Sequence, residues 1–199
     1  SLPVITNAYL NGIIGFDTEL AFKAMTESAM KDTCGYSMGY FVGLENYRKY
    51  GYVPCDMEME SVARTLEYAF DDRALARFAE QIGRSEEAAY FNEQSFNYKN
   101  VFDADICFVR GKTKEGKWRT PFAPLASSHR KDDYCEGNAW QWSFFVPHDV
   151  EGLAALMGGK ERLAARLDSL FTMSSALEGD DVSGDISGLI GQYAHGNEP

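Results

Sequence analysis

Apolar residues recur at helical spacing along most of this chain, and the polar positions between them mark where each helix starts and stops. Asp17 stands where an N-cap belongs, and Leu20, Ala21, Ala24, Met25 and Ala29 follow on one side of the helix it opens. After a break at Gly51-Tyr52-Val53-Pro54, Met59, Val62, Ala63, Leu66 and Phe70 form a helical stripe, with Glu58, Glu60, Arg64 and Glu67 between them. Asp71 and Asp72 interrupt the stripe and predict a solvated helix junction. Leu75, Phe78, Ala79 and Ile82 then make a second stripe, closed by Gly83 as the C′ residue. Ser85 is the expected cap of the next helix, with Glu86 and Glu87 in its first turn and Ala88, Phe91, Ser95, Tyr98 and Phe102 facing inward. Short connections between these helices predict antiparallel neighbours.

Between Val101 and Arg130 the period is lost. Gly111 to Lys117 is a polar turn that suits the tip of a short hairpin, and Trp118 to Pro124 reads as an extended loop fixed by its prolines. A loop this long inside a helical domain is expected to carry function. Helix resumes from Asn138 to about Val146 and stops at Pro147; Asp149 caps another that ends at Gly158-Gly159. Leu163, Leu167, Leu170 and Phe171 mark a further helix face, and Ser174 to Gly184 is a loop. With no low-complexity tract to divide it, the chain reads as one domain over residues 1–199: mainly α, built from paired helices, with a long irregular or short-β loop region.

Composition narrows the partners. A hydrophobic content of 45% describes a globular chain rather than a disordered one. The formal charge of −11 disfavours an extended phosphate-binding surface, so no nucleic acid is expected. No apolar run reaches the roughly 18 residues of a membrane span. Cys34, Cys55, Cys107 and Cys135 form no C-x-x-C pair, which leaves zinc and thioredoxin chemistry unsupported and any disulfide pairing open. Cys135 reads as a small buried thiol, since no histidine is arranged nearby to activate it. The start at Ser1-Leu2-Pro3 and the stop at Asn197-Glu198-Pro199 are expected to be cuts inside a longer protein.

The chemistry gathers at Glu136-Gly137-Asn138-Ala139-Trp140-Gln141, which runs on through Trp142, Phe144 and Phe145 to Pro147-His148-Asp149. A carboxylate among aromatic rings is shielded from water; this favours its protonated form and suits a group that gives a proton to a leaving oxygen. The same residues also fit a plain helix N-terminus backed by buried rings. Trp118, Phe122, Trp140 and Trp142 can stack on a sugar or fill the core. His148-Asp149 can be a dyad, although Asp149 as an N-cap is the more economical account.

Three blocks together resemble glycoside hydrolase family 92: the Glu136 to Gln141 segment, Phe145-Val146-Pro147-His148-Asp149, and Gly188 to Pro199, which reads GLIGQYAHGNEP. Gly51 to Pro54 and the stretch Glu60 to Asp72, ESVARTLEYAFDD, fit the same family, so the resemblance covers nearly the whole chain. It implies a calcium-dependent, inverting exo-α-mannosidase, often α-1,2-specific, with an N-terminal β-sandwich and a C-terminal (α/α)6 toroid. On this basis residues 1–199 would be a central part of the toroid, with the β-sandwich and the segment bearing the catalytic base outside them.

The resemblance assigns Glu136 as general acid. Trp140, Gln141, Gln192 and His195 are candidate mannose-binding residues, with Tyr193 a further hydrogen-bonding candidate. Asn197 and Glu198 are candidate ligands for Ca2+, whose preference for hard oxygen donors they suit. Ala123 departs from the acidic residue expected between Phe122 and Pro124 and accepts no side-chain hydrogen bond there. The implied partner is a mannose-containing glycan and the implied location periplasmic or extracellular. The chain alone is expected to be inactive, and to self-associate through exposed helix faces. The alternative is a helical scaffold or carbohydrate-binding module without catalysis.

Overall fold

The computed structural model describes residues 2–31, 42–128, 130–194 and 196. Its centre is α4 (Ser61–Gln81), against which α1 (Leu2–Leu10), α2 (Thr18–Met30) and α5 (Ser85–Gln94) pack. A helix with apolar residues on most of its circumference has to be covered on most sides. Val62, Leu66 and Ala69 of α4 enter one core cluster with Tyr98, Val109, Ala139 and Met157. Leu75, Phe78 and Ala79 enter a second, with Leu2, Phe22, Met25 and Phe91. The two stripes foreseen before and after Asp71-Asp72 are therefore one continuous helix of 21 residues.

Asp72 explains the continuity. It is wholly buried. Its carboxylate accepts two bonds from Arg48 of α3 (Leu44–Tyr50), at 2.8 and 2.6 Å, and a third from Tyr47 Oη at 2.8 Å. The same guanidinium donates to Ala29 O near the end of α2, at 2.8 and 3.2 Å. A solvated junction is thereby replaced by a bidentate ion pair that joins three helices.

The caps follow the sequence closely. Asp17 accepts from Leu20 N at 3.0 Å, and Gly83 takes φ +78° just past α4. Ser85 does not cap α5; Arg84 precedes the helix, without a side-chain bond. The buried side of α2 is Phe22, Met25 and Ala29, which leaves Leu20 62% exposed. Beyond α5 the inward residues Tyr98 and Phe102 stay buried, but on a 3-10 helix (Asn97–Val101) and a strand rather than on one long helix.

The irregular region carries β1 (Phe102–Asp103) and β2 (Phe108–Val109), paired antiparallel with Phe102 opposite Val109, and a tip closed by the Lys112–Trp118 bridge. β3 (Ala126–Ser128) runs parallel to β4 (Glu178–Asp181), so the loop expected at 174–184 contributes a strand. α6 (Ala139–Trp142) is a single turn, shorter than the helix expected to reach Val146. α7 (Val150–Leu156) is capped by Asp149, and α8 (Lys160–Thr172) buries Leu170 but leaves Phe171 43% exposed. The β5 (Leu189–Ile190) and β6 (Tyr193–Ala194) hairpin follows. No described helix is long and apolar enough to cross a membrane.

Candidate active site

The loop before α6 lies across the N-terminus of α4, where helix N–H groups lack partners within the helix. Asp132 O accepts from Glu60 N at 2.7 Å, and Asp133 O accepts from Val62 N and Ala63 N at 2.9 and 3.1 Å. Side chains lock the same contact. Ser61 Oγ donates to Asp133 Oδ1 at 2.8 Å, and Arg119 Nε meets Asp133 Oδ2 at 2.8 Å. Asp132 accepts from Ser128 N at 2.5 Å and Tyr134 N at 2.9 Å, while Tyr134 Oη donates to Val109 O at 2.8 Å. Burial pushes the Asp132 and Asp133 carboxyls above their ordinary range, against the opposing pull of backbone N–H groups on Asp132 and of Arg119 on Asp133.

Glu136 emerges from this anchored loop. It is partly buried and left-handed at φ +44°, two residues ahead of the α6 cap rather than inside a helix. Its surroundings are acidic as well as aromatic. Burial, then the charges of Glu60, Glu136 and Glu67, push the Cys135 thiol up to about 12, which favours the neutral thiol over the thiolate.

From here α6 is organised by Asn138. Its Oδ1 accepts from Trp140 N and Gln141 N at 3.0 and 3.3 Å, while Gln141 Oε1 accepts from Asn138 N at 2.7 Å, completing a capping box. Gln141 is thus part of the frame. Its buried Nε2 has no acceptor among the described residues. Gln192 is wholly buried: Oε1 accepts from Asn138 Nδ2 at 2.9 Å, and Nε2 donates to Ser174 O and Ala176 O at 2.7 and 2.9 Å. With both N–H groups committed, Gln192 joins the Glu136–Gln141 segment to the 174–176 loop and has none left for a sugar.

Trp140 and Trp142 leave the single turn on opposite sides. Trp142 Nε1 donates to Cys135 O at 2.8 Å and its ring lies 5.3 Å from Phe145, which in turn meets Phe70 at 6.0 Å. Trp140 packs on Phe108 at 5.1 Å and under the Arg166 guanidinium at 4.6 Å. The indole that reaches the Glu136 loop is therefore that of Trp142. Phe122 sits 5.6 Å from Phe108 beneath Arg110, and Trp118 packs below Lys112.

His148 and Asp149 form no dyad: His148 Nε2 bonds Ser95 O at 2.9 Å, and Asp149 caps α7 while accepting from Tyr98 Oη at 2.7 Å. Cys55 and Cys107 are free and buried, and Cys135 is free and partly buried. Cys34, His195, Asn197 and Glu198 lie outside the described residues. Among the described residues, no three His, Cys, Asp or Glu side chains converge to hold a metal ion. Glu60 and Glu67 were the residues hardest to single out from sequence, because a glutamate between helical stripes ordinarily means a solvated face. Their charges act on the Cys135 thiol across roughly seventy residues of sequence, which no local pattern announces.

Helices packed around α4, with a carboxylate loop and aromatic rings laid at one helix end, make up the helical framework of the site. The glycosyl hydrolase family 92 catalytic domain matches residues 1–199, and the chain belongs to that family. The fold is similar over its full length to a family 92 α-mannosidase of Bacteroides thetaiotaomicron solved with mannoimidazole (TM-score 0.85, 38% identity, 26% of that chain). A family 92 inverting mannosidase of the same organism is similar too (TM-score 0.83, 34% identity, all of this chain and 28% of that one). A protein of Arthroderma benhamiae described as an uncharacterized secreted glycosidase shares 29% identity over 90% of the chain and 27% of its own length. The helical core is accordingly a partial (α/α)6 toroid, and the chain spans about a quarter of these relatives.

Proposed function

We propose that this chain belongs to an inverting exo-α-mannosidase that removes terminal α-linked mannose, α-1,2-linked mannose above all, from glycans. Glu136 protonates the leaving oxygen. The observation that carries this reading is the placement of Glu136 on a left-handed turn locked to the N-terminus of α4, next to Trp142 and ahead of the Asn138 capping box. Preorganised carboxyls of this kind do acid–base work. Similarity to an inverting mannosidase supports the stereochemistry.

Inversion needs a second carboxylate across the sugar, about 6.5–9.5 Å from the first, to activate water. We place that base outside residues 1–199, so the isolated chain binds without turnover. The N-terminal β-sandwich is likewise placed outside this stretch. Asn197 and Glu198, with His195 beside them, are the proposed contacts for Ca2+ and mannose. Their oxygens are hard donors, and backbone carbonyls and sugar hydroxyls would complete the six to eight ligands that calcium ordinarily takes. When bound, calcium would hold neighbouring mannose hydroxyls and favour a distorted ring. Trp140 and Gln141 are proposed to act from behind the site, by packing and by capping, and Gln192 as the strut that holds Asn138. The secreted description of the fungal relative supports a periplasmic or extracellular location.

The test is the anomer first released from α-1,2-mannobiose by the full-length protein, followed by proton NMR. β-Mannose as the initial product, lost on adding a calcium chelator, is expected. α-Mannose would overturn inversion, and undiminished activity with the chelator would overturn the calcium assignment.

A further inference from the structure

One indole edge touches both chain neighbours of Glu136. Trp142 Nε1 donates to Cys135 O, on the residue before it, at 2.8 Å. The same edge lies against Gly137, the residue after it: a methyl group on the Gly137 Cα would stand 2.9 Å from Trp142 Nε1 and 3.1 Å from its Cδ1. Gln141 Oε1 would stand 2.8 Å from that methyl group. Neither polar atom is a free end, since Oε1 accepts from Asn138 N at 2.7 Å and Nε1 is committed to Cys135 O. Position 137 thus holds glycine for want of space; its backbone is not left-handed. The indole is itself held from behind. Trp142 N donates to Asn138 O at 3.1 Å, its ring lies 5.3 Å from Phe145, and Phe145 meets Phe70 of α4 at 6.0 Å. Between the two seated neighbours, Glu136 keeps φ +44°, a conformation that non-glycine residues hold only where their surroundings over-determine it.

We propose that Trp142 is a positioning residue for the acid: its indole edge, bonded to Cys135 O and seated on Gly137, fixes the turn that aims Glu136 at the leaving oxygen. The bonds to the N-terminus of α4 hold the loop upstream, at Asp132 and Asp133, and Trp142 carries that hold to the residues on either side of Glu136. Trp142 acts through the turn and not by stacking on the sugar. The inference rests on Glu136 being the acid.

The experiment measures kcat and KM of the full-length protein on α-1,2-mannobiose and on 2,4-dinitrophenyl α-mannoside, whose leaving phenolate needs no proton. Trp142→Phe keeps an aromatic ring and removes the N–H. Its kcat on the disaccharide is expected to fall about tenfold with KM within about twofold, as a misaimed catalytic group would cause, while kcat on the activated mannoside moves by less than about twofold. Gly137→Ala pushes against the same edge and is expected to show the same split. It should cost less in the Trp142→Phe background than alone, because the two changes disturb one contact. Equal losses of kcat on both substrates would make Trp142 a general support of the site and overturn the inference. A rise in KM on both with kcat unchanged would make it a sugar-stacking residue and overturn it too. So would native kinetics in Trp142→Phe, or losses that simply add in the double variant. If Trp142→Phe fails to fold, Gly137→Ala on the two substrates decides alone. Glu136→Gln measured alongside separates the two levels. If it stays active on the disaccharide, the acid assignment itself fails; if it is inactive there while Trp142→Phe and Gly137→Ala behave as wild type, only the positioning role fails.

Discussion

At the residue scale, what the sequence revealed was local and what it concealed was long-range. Asp17 and Asp149 were legible as caps because a short polar side chain bonds an N–H group only three residues ahead. Asp72 was not legible, because the partner that keeps it buried, Arg48, lies 24 residues away on another helix. Its neighbour Asp71 behaves differently. Burial, reinforced by Glu67 and Asp72, pushes its carboxyl up to about 6 from an ordinary value of 3.8. A raised folded-state value means that Asp71 favours the fold below about pH 4 and that this contribution is lost as pH rises through about 6. Asp71→Asn, uncharged throughout, is therefore expected to melt higher than the native chain at pH 8, with the gap closing towards pH 4. Thermal melts across that range check this; a gap that widens on acidification would contradict it.

At the element scale the helical period gave the right class but drew some boundaries wrongly. α4 was divided at Asp71-Asp72 because two adjacent acids resemble a solvated break, and only the ion pair with Arg48 makes one long helix possible. The helix from Asn138 was drawn too long, since the aromatic run that suggested it turns into the core beyond Trp142 instead of continuing the spiral. Helices α1 and α3 drew no prediction, being short and lacking a side-chain cap signal. The ion pair is the device that binds α2, α3 and α4 together. Removing one partner strands a buried charge, so Arg48→Met should cost about 3–5 kcal/mol. Urea denaturation reads this directly, and a loss below about 1 kcal/mol would show that water reaches Asp72 and solvates it.

At the scale of the molecule, the partial helical toroid was legible through family resemblance joined to helix pairing, and the Glu136 loop drew notice through the aromatic run that follows it. The action of the Glu60 and Glu67 charges on Cys135 was not legible, because it depends on the loop crossing a helix end. Among the described residues, one apolar face lies open. α1, the middle of α4 and the Pro147-His148 turn border a groove, with Val4 72% exposed, Ile13 63% and the adjoining Ile14 65%. Apolar surface of this kind seeks cover, and when residues 1–199 are isolated a second copy of the chain is expected to supply it. Light scattering should show concentration-dependent association that Ile13→Asp with Ile14→Asp abolishes; a monomer at every concentration would contradict this.

The central claim is that Glu136 donates the proton, and leaving-group dependence tests it most directly. Full-length protein and Glu136→Gln are compared on α-1,2-mannobiose, whose leaving alcohol needs a proton, and on 2,4-dinitrophenyl α-mannoside, whose phenolate does not. The account predicts a loss of roughly a hundredfold or more on the disaccharide, in line with general acid catalysis, and near-native rates on the activated mannoside. Equal losses on both substrates, or undiminished release of mannose from the disaccharide, would contradict it.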